Sequence, residues 1–233
     1  MIPIRDTAPC YHKPIVTWSL IALCSIIFII MQIMPLNVST PLIMKYGMIP
    51  LRYSNELWGE RAGLPFDCYF SFISNLFLHA DWLHLLMNMW FLWIFADNIE
   101  DRMGHLPFLC FYLLCGVCAT FLQWYFDRNI AIPIVGASGS IAGVLAAYFV
   151  LYPLERVVVC FPPIVTHVPA IMFLGLWVIF QLSQATTSVM VQGGTASVAW
   201  WAHLGGFIAG YLLQYLFVKE PQLNKELTEQ NIS

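Results

Sequence analysis

From Val157 to Val218 the chain reads VVVCFPPIVTHVPAIMFLGLWVIFQLSQATTSVMVQGGTASVAWWAHLGGFIAGYLLQYLFV, 62 residues without one Asp, Glu, Lys or Arg. A soluble fold has no means of hiding that much uncharged chain, whereas a bilayer solvates it directly. The rest of the sequence agrees. Of 233 residues, 60% are hydrophobic and 10% charged, where soluble domains carry about 25% charged residues. Mean hydropathy is +0.73. The chain is therefore read as an integral membrane protein in contact with lipid. A net charge of −3 and a pI near 6.0 leave no basic surface for nucleic acid. The cysteines lie mostly in apolar runs, and the spacing of Cys110, Cys115 and Cys118 fits no zinc or haem motif. Neither a metal nor another cofactor is expected.

Working outward, apolar runs and their breakers predict an all-α bundle of six transmembrane helices with a long first external loop. The expected spans are Ile15–Met34, Leu83 to Asp97–Arg102, Leu106–Phe126, Ser138–Tyr152, Pro169–Thr187 and Val198–Val218. That divides the chain into a cytoplasmic segment (1–14), a six-span domain (15–218) and a short polar cytoplasmic tail (219–233). The first span is longer than a signal-peptide core and has no A-x-A cleavage site after it, so insertion into a bacterial inner membrane is the expectation. Six spans put both termini on one side, and the distribution of Lys and Arg favours the cytoplasm for them. The first loop (Pro35–Trp82) carries Trp58, Tyr69, Phe70 and Phe72, as a segment lying in the membrane interface would.

The fourth span has about 15 residues where about 20 are needed to cross hydrocarbon. A helix that starts below the surface presents unpaired N–H groups and a positive dipole end at that depth, and Ser138 stands there. Polar residues inside apolar helices usually face the bundle interior and mark function. His84 and Asn88 share one face of the second span at i and i+4. Gly136-Ala137-Ser138-Gly139 opens the fourth, and Ala202-His203 lies in the sixth. Gly139-x-x-x-Gly143 follows Ser138, and Gly206-x-x-x-Gly210 follows His203. Such small-residue faces let helix backbones approach closely. If these two faces pack together, the imidazole can take the hydroxyl proton, which is how a serine nucleophile is activated. His84, Asn88 and the Ser138 backbone N–H would then supply donors to an oxyanion. Each element alone also has a plain reading as loop or helix-packing residues. The case rests on their joint order within six spans.

That joint pattern resembles the rhomboid family of intramembrane serine proteases over roughly Phe70 to Tyr215. The matching motifs are HxxxN at His84 and Asn88, GxSG at Gly136–Gly139, and AHxxGxxxG at Ala202, His203, Gly206 and Gly210. His79 and the Glu100-x-Arg102 pair also match. The resemblance implies Ser138 as nucleophile, His203 as general base and then acid, and His84, Asn88 and the Ser138 amide as oxyanion hole. It gives supporting roles to His79, Glu100, Arg102, Gly136, Gly139, Gly143, Gly206 and Gly210. Expected partners are single-span transmembrane proteins as substrates, entering near the fifth span and a cap loop over Ser188–Ser197. Two positions depart from the family. Phe70-Ser71 stands where many members have Trp-Arg. Ala142 replaces an aromatic that stacks on the histidine, so the ring is either supported by another side chain or held more loosely. No Asp or Glu is placed to complete a triad, so a dyad with slow turnover is expected. A helix-binding rhomboid-like non-protease, or a transporter of metals through Met, Cys and His, is the alternative.

Overall fold

The computed structural model describes residues 2–64, 69–190 and 199–218. Residues 191–197 of the expected cap loop, and the tail 219–233, lie outside the described residues. The chain is mostly helical, in the order β1 (Ile2–Asp6), α1 (Ile15–Ile33), α2 (Leu36–Tyr46), α3 (Pro50–Ser54), α4 (Glu56–Arg61), α5 (Ser71–Ser74), α6 (Trp82–Met103), α7 (His105–Phe126), α8 (Ser138–Leu151), β2 (Arg156–Phe161), β3 (Ile164–Pro169), α9 (Ala170–Met190) and α10 (Trp200–Phe217). By length and composition, α1, α7 and the Ala170–Thr187 part of α9 can each cross a membrane, and α8 is a shorter apolar helix of 14 residues.

Helix α8 is the axle of the bundle. Its ten residues from Gly139 to Tyr148 are all buried, as expected of a helix apolar on every face. Around it pack Phe95 and Ile99 of α6, Phe108, Phe111 and Tyr112 of α7, and Phe173 and Leu174 of α9. In lipid, helix association draws on close van der Waals packing more than on escape from water, so the tightest contact controls the geometry. That contact is between α8 and α10. A methyl group at Gly206 would sit 1.9 Å from the Gly139 carbonyl oxygen, and one at Gly210 would sit 2.3 Å from that of Gly143. The two GxxxG faces meet as the sequence predicts.

The all-α expectation requires correction. Residues 157–169, read as the start of a long apolar stretch, form most of a hairpin, and β1 adds to it to give an antiparallel sheet in the order β1-β2-β3. The run Val157-Val158-Val159 is β-branched and lies between Pro153 and Pro162, which favours a strand over a helix. Val157 and Val159 are fully buried and join the helical core. Several bonds among the described residues tie the segment around β1 to the bundle. Trp90 Nε1 donates to the Pro3 carbonyl (2.7 Å), Tyr148 Oη to Asp6 Oδ2 (2.5 Å) and Asn98 Nδ2 to the Ala8 carbonyl (3.1 Å).

Glu100 closes the same end. The N-terminus of α1 has no side-chain cap of its own, and the buried Glu100 carboxylate supplies one. It accepts from Val16 N (2.8 Å), Thr17 N (2.7 Å) and Thr17 Oγ1 (2.7 Å), and pairs with His105 Nδ1 (2.6 Å). An anion at a helix N-terminus is favourable. Arg102, half-buried in the last turn of α6, is a cation at a helix C-terminus, also favourable.

The described parts of the segment between α1 and α6 include short helices that grip the chain entering α8. Met48 bridges to Ile134, Leu51 N donates to the Ile130 carbonyl (3.0 Å), and Gly136 N donates to that of Asn75 (2.9 Å). At the Phe70-Ser71 position, Ser71 is buried and its hydroxyl bonds Tyr53 Oη, while exposed Phe70 meets the Tyr46 ring edge-on.

Candidate active site

Ser138 is the first residue of α8. Ala137 caps that helix without a side-chain bond, and the first intrahelical bond runs from Ile141 N to the Ala137 carbonyl (3.0 Å). The N–H groups of Ser138, Gly139 and Ser140 therefore have no acceptor within the helix. His203 lies in the first turn of α10. That turn is pinned to α7 by Gln123, whose Oε1 accepts from Ala202 N (2.9 Å) and whose amide donates to Asp127. With the GxxxG faces in contact, His203 Nε2 lies 2.8 Å from Ser138 Oγ.

The other ring nitrogen is also engaged. His203 Nδ1 is 2.8 Å from Oε1 of Gln181, a residue of α9 that is 4% exposed. Trp177, one turn earlier on α9, has its ring 6.1 Å from the imidazole, and Trp200 meets the imidazole edge-on at 6.0 Å. Ala142 is fully buried and offers no aromatic. Of the two outcomes left open at that position, support from another side chain is the one found. Among the described residues no carboxylate bonds His203.

His84 and Asn88 approach from α6. The α6 N-terminus is capped by Asp81, which accepts from His84 N (2.8 Å). Gly136 has φ +130°, a conformation L side chains rarely adopt, and a methyl there would lie 2.6 Å from His84 Nε2 and 3.6 Å from Asn88 Nδ2. Both side chains thus face the backbone two residues before Ser138. Asn88 Nδ2 is buried with no hydrogen-bond partner among the described residues. The His79 ring is buried, 5.2 Å edge-on from His84.

The structure thus brings Ser138, His203, His84, Asn88, His79 and Gly136 to one end of the bundle, with Gly139, Gly143, Gly206 and Gly210 forming the α8–α10 contact. Glu100 and Arg102 stand at the far end of α6, away from this constellation. Sequence reasoning missed Gln181, Gln123, Trp177 and Trp200. For Gln181 a signal was present: an amide in an apolar helix, four residues after Trp177 and so on the same face.

Residues 67–220 match the Rhomboid domain. The chain belongs to the rhomboid family. Among similar proteins are Rhomboid-like protein 11, chloroplastic, of Arabidopsis thaliana, 29% identical over 168 residues (69% of this chain, 57% of that protein), and Rhomboid protein 1, mitochondrial, of Saccharomyces cerevisiae, 28% identical over 160 residues (67% and 44%). Presenilin-associated rhomboid-like protein A, mitochondrial, of Danio rerio, is 30% identical over 146 residues (59% and 35%). The chain spans about half the length of these relatives. The rhomboid region contains α6 to α10, hence every residue that meets at Ser138, while β1 and α1 precede it.

Proposed function

We propose that this rhomboid protein is an intramembrane serine endopeptidase that cleaves transmembrane segments through a Ser138–His203 dyad. The observation that carries the reading is the 2.8 Å contact between Ser138 Oγ and His203 Nε2, made by two helices in glycine-to-glycine contact. Nε2 takes the hydroxyl proton as Oγ attacks the scissile carbonyl. The oxyanion that forms is met by the free N–H groups opening α8 and by the side chains of Asn88 and His84. His203 then returns the proton to the leaving amine, and the acyl-enzyme is released by water that His203 deprotonates in turn.

In this reading α1, α6, α7, α8, α9 and α10 are the six spans, and the sheet and both termini lie on the cytoplasmic side of the membrane. Lys and Arg counts support that orientation. The substrates are single-span membrane proteins that reach the site laterally, past α9. The test is fluorophosphonate labelling of the protein in detergent or vesicles. Ser138 is labelled in the wild type, Ser138→Ala is not, and His203→Ala loses both labelling and cleavage of a transmembrane substrate. Equal labelling of Ser138→Ala removes Ser138 as nucleophile. Labelling without cleavage of any transmembrane substrate favours a helix-binding role.

A further inference from the structure

We propose that Gln181 is a positioning residue for His203, its Oε1 accepting a hydrogen bond from Nδ1–H and so holding the ring in the tautomer whose Nε2 can receive the proton of Ser138. The inference rests on the protease reading and deepens it. An amide can face a ring nitrogen in two ways. If its NH₂ faced Nδ1, the neutral imidazole would carry its proton on Nε2 and could only donate to Ser138 Oγ, which is useless for a base. With Oε1 facing Nδ1, as the 2.8 Å contact has it, Nε2 is left as the acceptor 2.8 Å from Ser138 Oγ. The same acceptor still serves once the ring is protonated on both nitrogens, so nothing has to reorganise during attack.

The surroundings keep this arrangement in place. Gln181 is buried, so water does not compete for its oxygen. Trp177 and Trp200 flank the ring and restrict its rotation. The amide fills the position that a carboxylate holds in a triad, orienting the base without adding a charge that lipid would penalise. It also spreads the site over three helices: Ser138 on α8, His203 on α10 and Gln181 on α9. The plain rival is that this bond is only an α9–α10 tether.

Rates separate the two. Fluorophosphonate labelling, and kcat and KM on a transmembrane substrate, are measured against pH for the wild type, Gln181→Met and Gln181→Glu. Gln181→Met keeps length and volume without the amide acceptor, and is expected to lower the labelling rate and kcat about tenfold with KM unchanged. Gln181→Glu places a stronger acceptor there and is expected to retain activity, with the acidic limb of the rate profile moved up by roughly one pH unit. A tether would change stability and leave the labelling rate of folded Gln181→Met at the wild-type value, whereas the limb of Gln181→Glu only checks that residue 181 faces the ring. The proposal is overturned if Gln181→Met labels at the wild-type rate or if the limb of Gln181→Glu coincides with that of the wild type. Should Gln181→Met fail to fold, the ¹⁵N NMR shifts of the His203 ring in the wild type decide: a neutral ring protonated on Nδ1 is expected, and one protonated on Nε2 overturns the proposal. A wild type labelled no more than Ser138→Ala defeats the protease reading itself, and this inference with it.

Discussion

Gly206→Ala tests whether the α8–α10 contact sets the dyad. The added methyl would lie 1.9 Å from the Gly139 carbonyl oxygen, where real contacts essentially never fall below 3.0 Å. The obstacle is backbone, so no side chain can swing aside. Helix α10 must therefore back away from α8 by about 1 Å or more at that level. His203 is one turn from Gly206 and moves with it, taking Nε2 away from an oxygen now 2.8 Å distant. A misplacement of about 1 Å costs on the order of 10²-fold in rate, and overpacking of this kind costs about 1–3 kcal/mol in stability. The assay is the fluorophosphonate labelling rate together with the thermal midpoint. Gly175→Ala on α9 is the control, because nothing lies within 4 Å of its added methyl. That control should label normally and gain about 0.5–1 kcal/mol from the lost backbone freedom. Gly206→Ala labelling at the wild-type rate would show that the contact yields without moving His203, and the packing account of the site would fall.

Asn88→Ala should lower kcat by up to about 10²-fold with little change in KM, as loss of one oxyanion donor does; an unchanged kcat removes Asn88 from that role. Glu100→Gln keeps the shape but weakens the cap on α1, and should cost about 2 kcal/mol, read as a lower thermal midpoint with the labelling rate per folded molecule unchanged. Asp6, on the sheet side, has its carboxyl raised above the usual 3.8, burial outweighing the Tyr148 hydrogen bond. The folded state therefore holds that proton more tightly than the unfolded chain, and stability falls as pH rises through the range above 3.8. Thermal midpoints measured against pH should show that fall reduced in Asp6→Asn. Parallel curves for the two proteins would refute it.

The site was legible where its chemistry is local. GxSG and AHxxGxxxG set Ser138 and His203 beside the glycines that let α8 and α10 approach, and HxxxN sets His84 and Asn88 on one helix face, so all four could be named as candidates without coordinates. The helices around them were also legible, because a long apolar run bounded by Gly, Pro or charge admits few other structures in lipid. What escaped was what depends on partners far along the chain. Val157–Val159 pair with residues about 150 positions earlier, and by hydropathy a buried strand looks the same as the mouth of a membrane span. The motif match gives Glu100 a supporting role, and its carboxylate directs that support to α1, through Val16 and Thr17.

Ala142 shows how a departure from a family pattern is settled by the whole bundle. With a methyl at that position of α8, an imidazole on α10 loses the ring face a neighbouring aromatic would give it. The shortfall is met from a third helix, where Trp177 and Gln181 lie one turn apart and both reach His203. An aromatic ring limits tilt but does not choose a tautomer, whereas an amide acceptor on Nδ1 does. In the proposed mechanism the base is consequently sensitive to where α9 stands. Since α9 flanks the proposed lateral entry, a substrate that displaces it would also disturb the hydrogen bond that prepares His203. Recovery of that bond after entry would then be part of reaching the reactive state, in keeping with the slow turnover expected of a dyad.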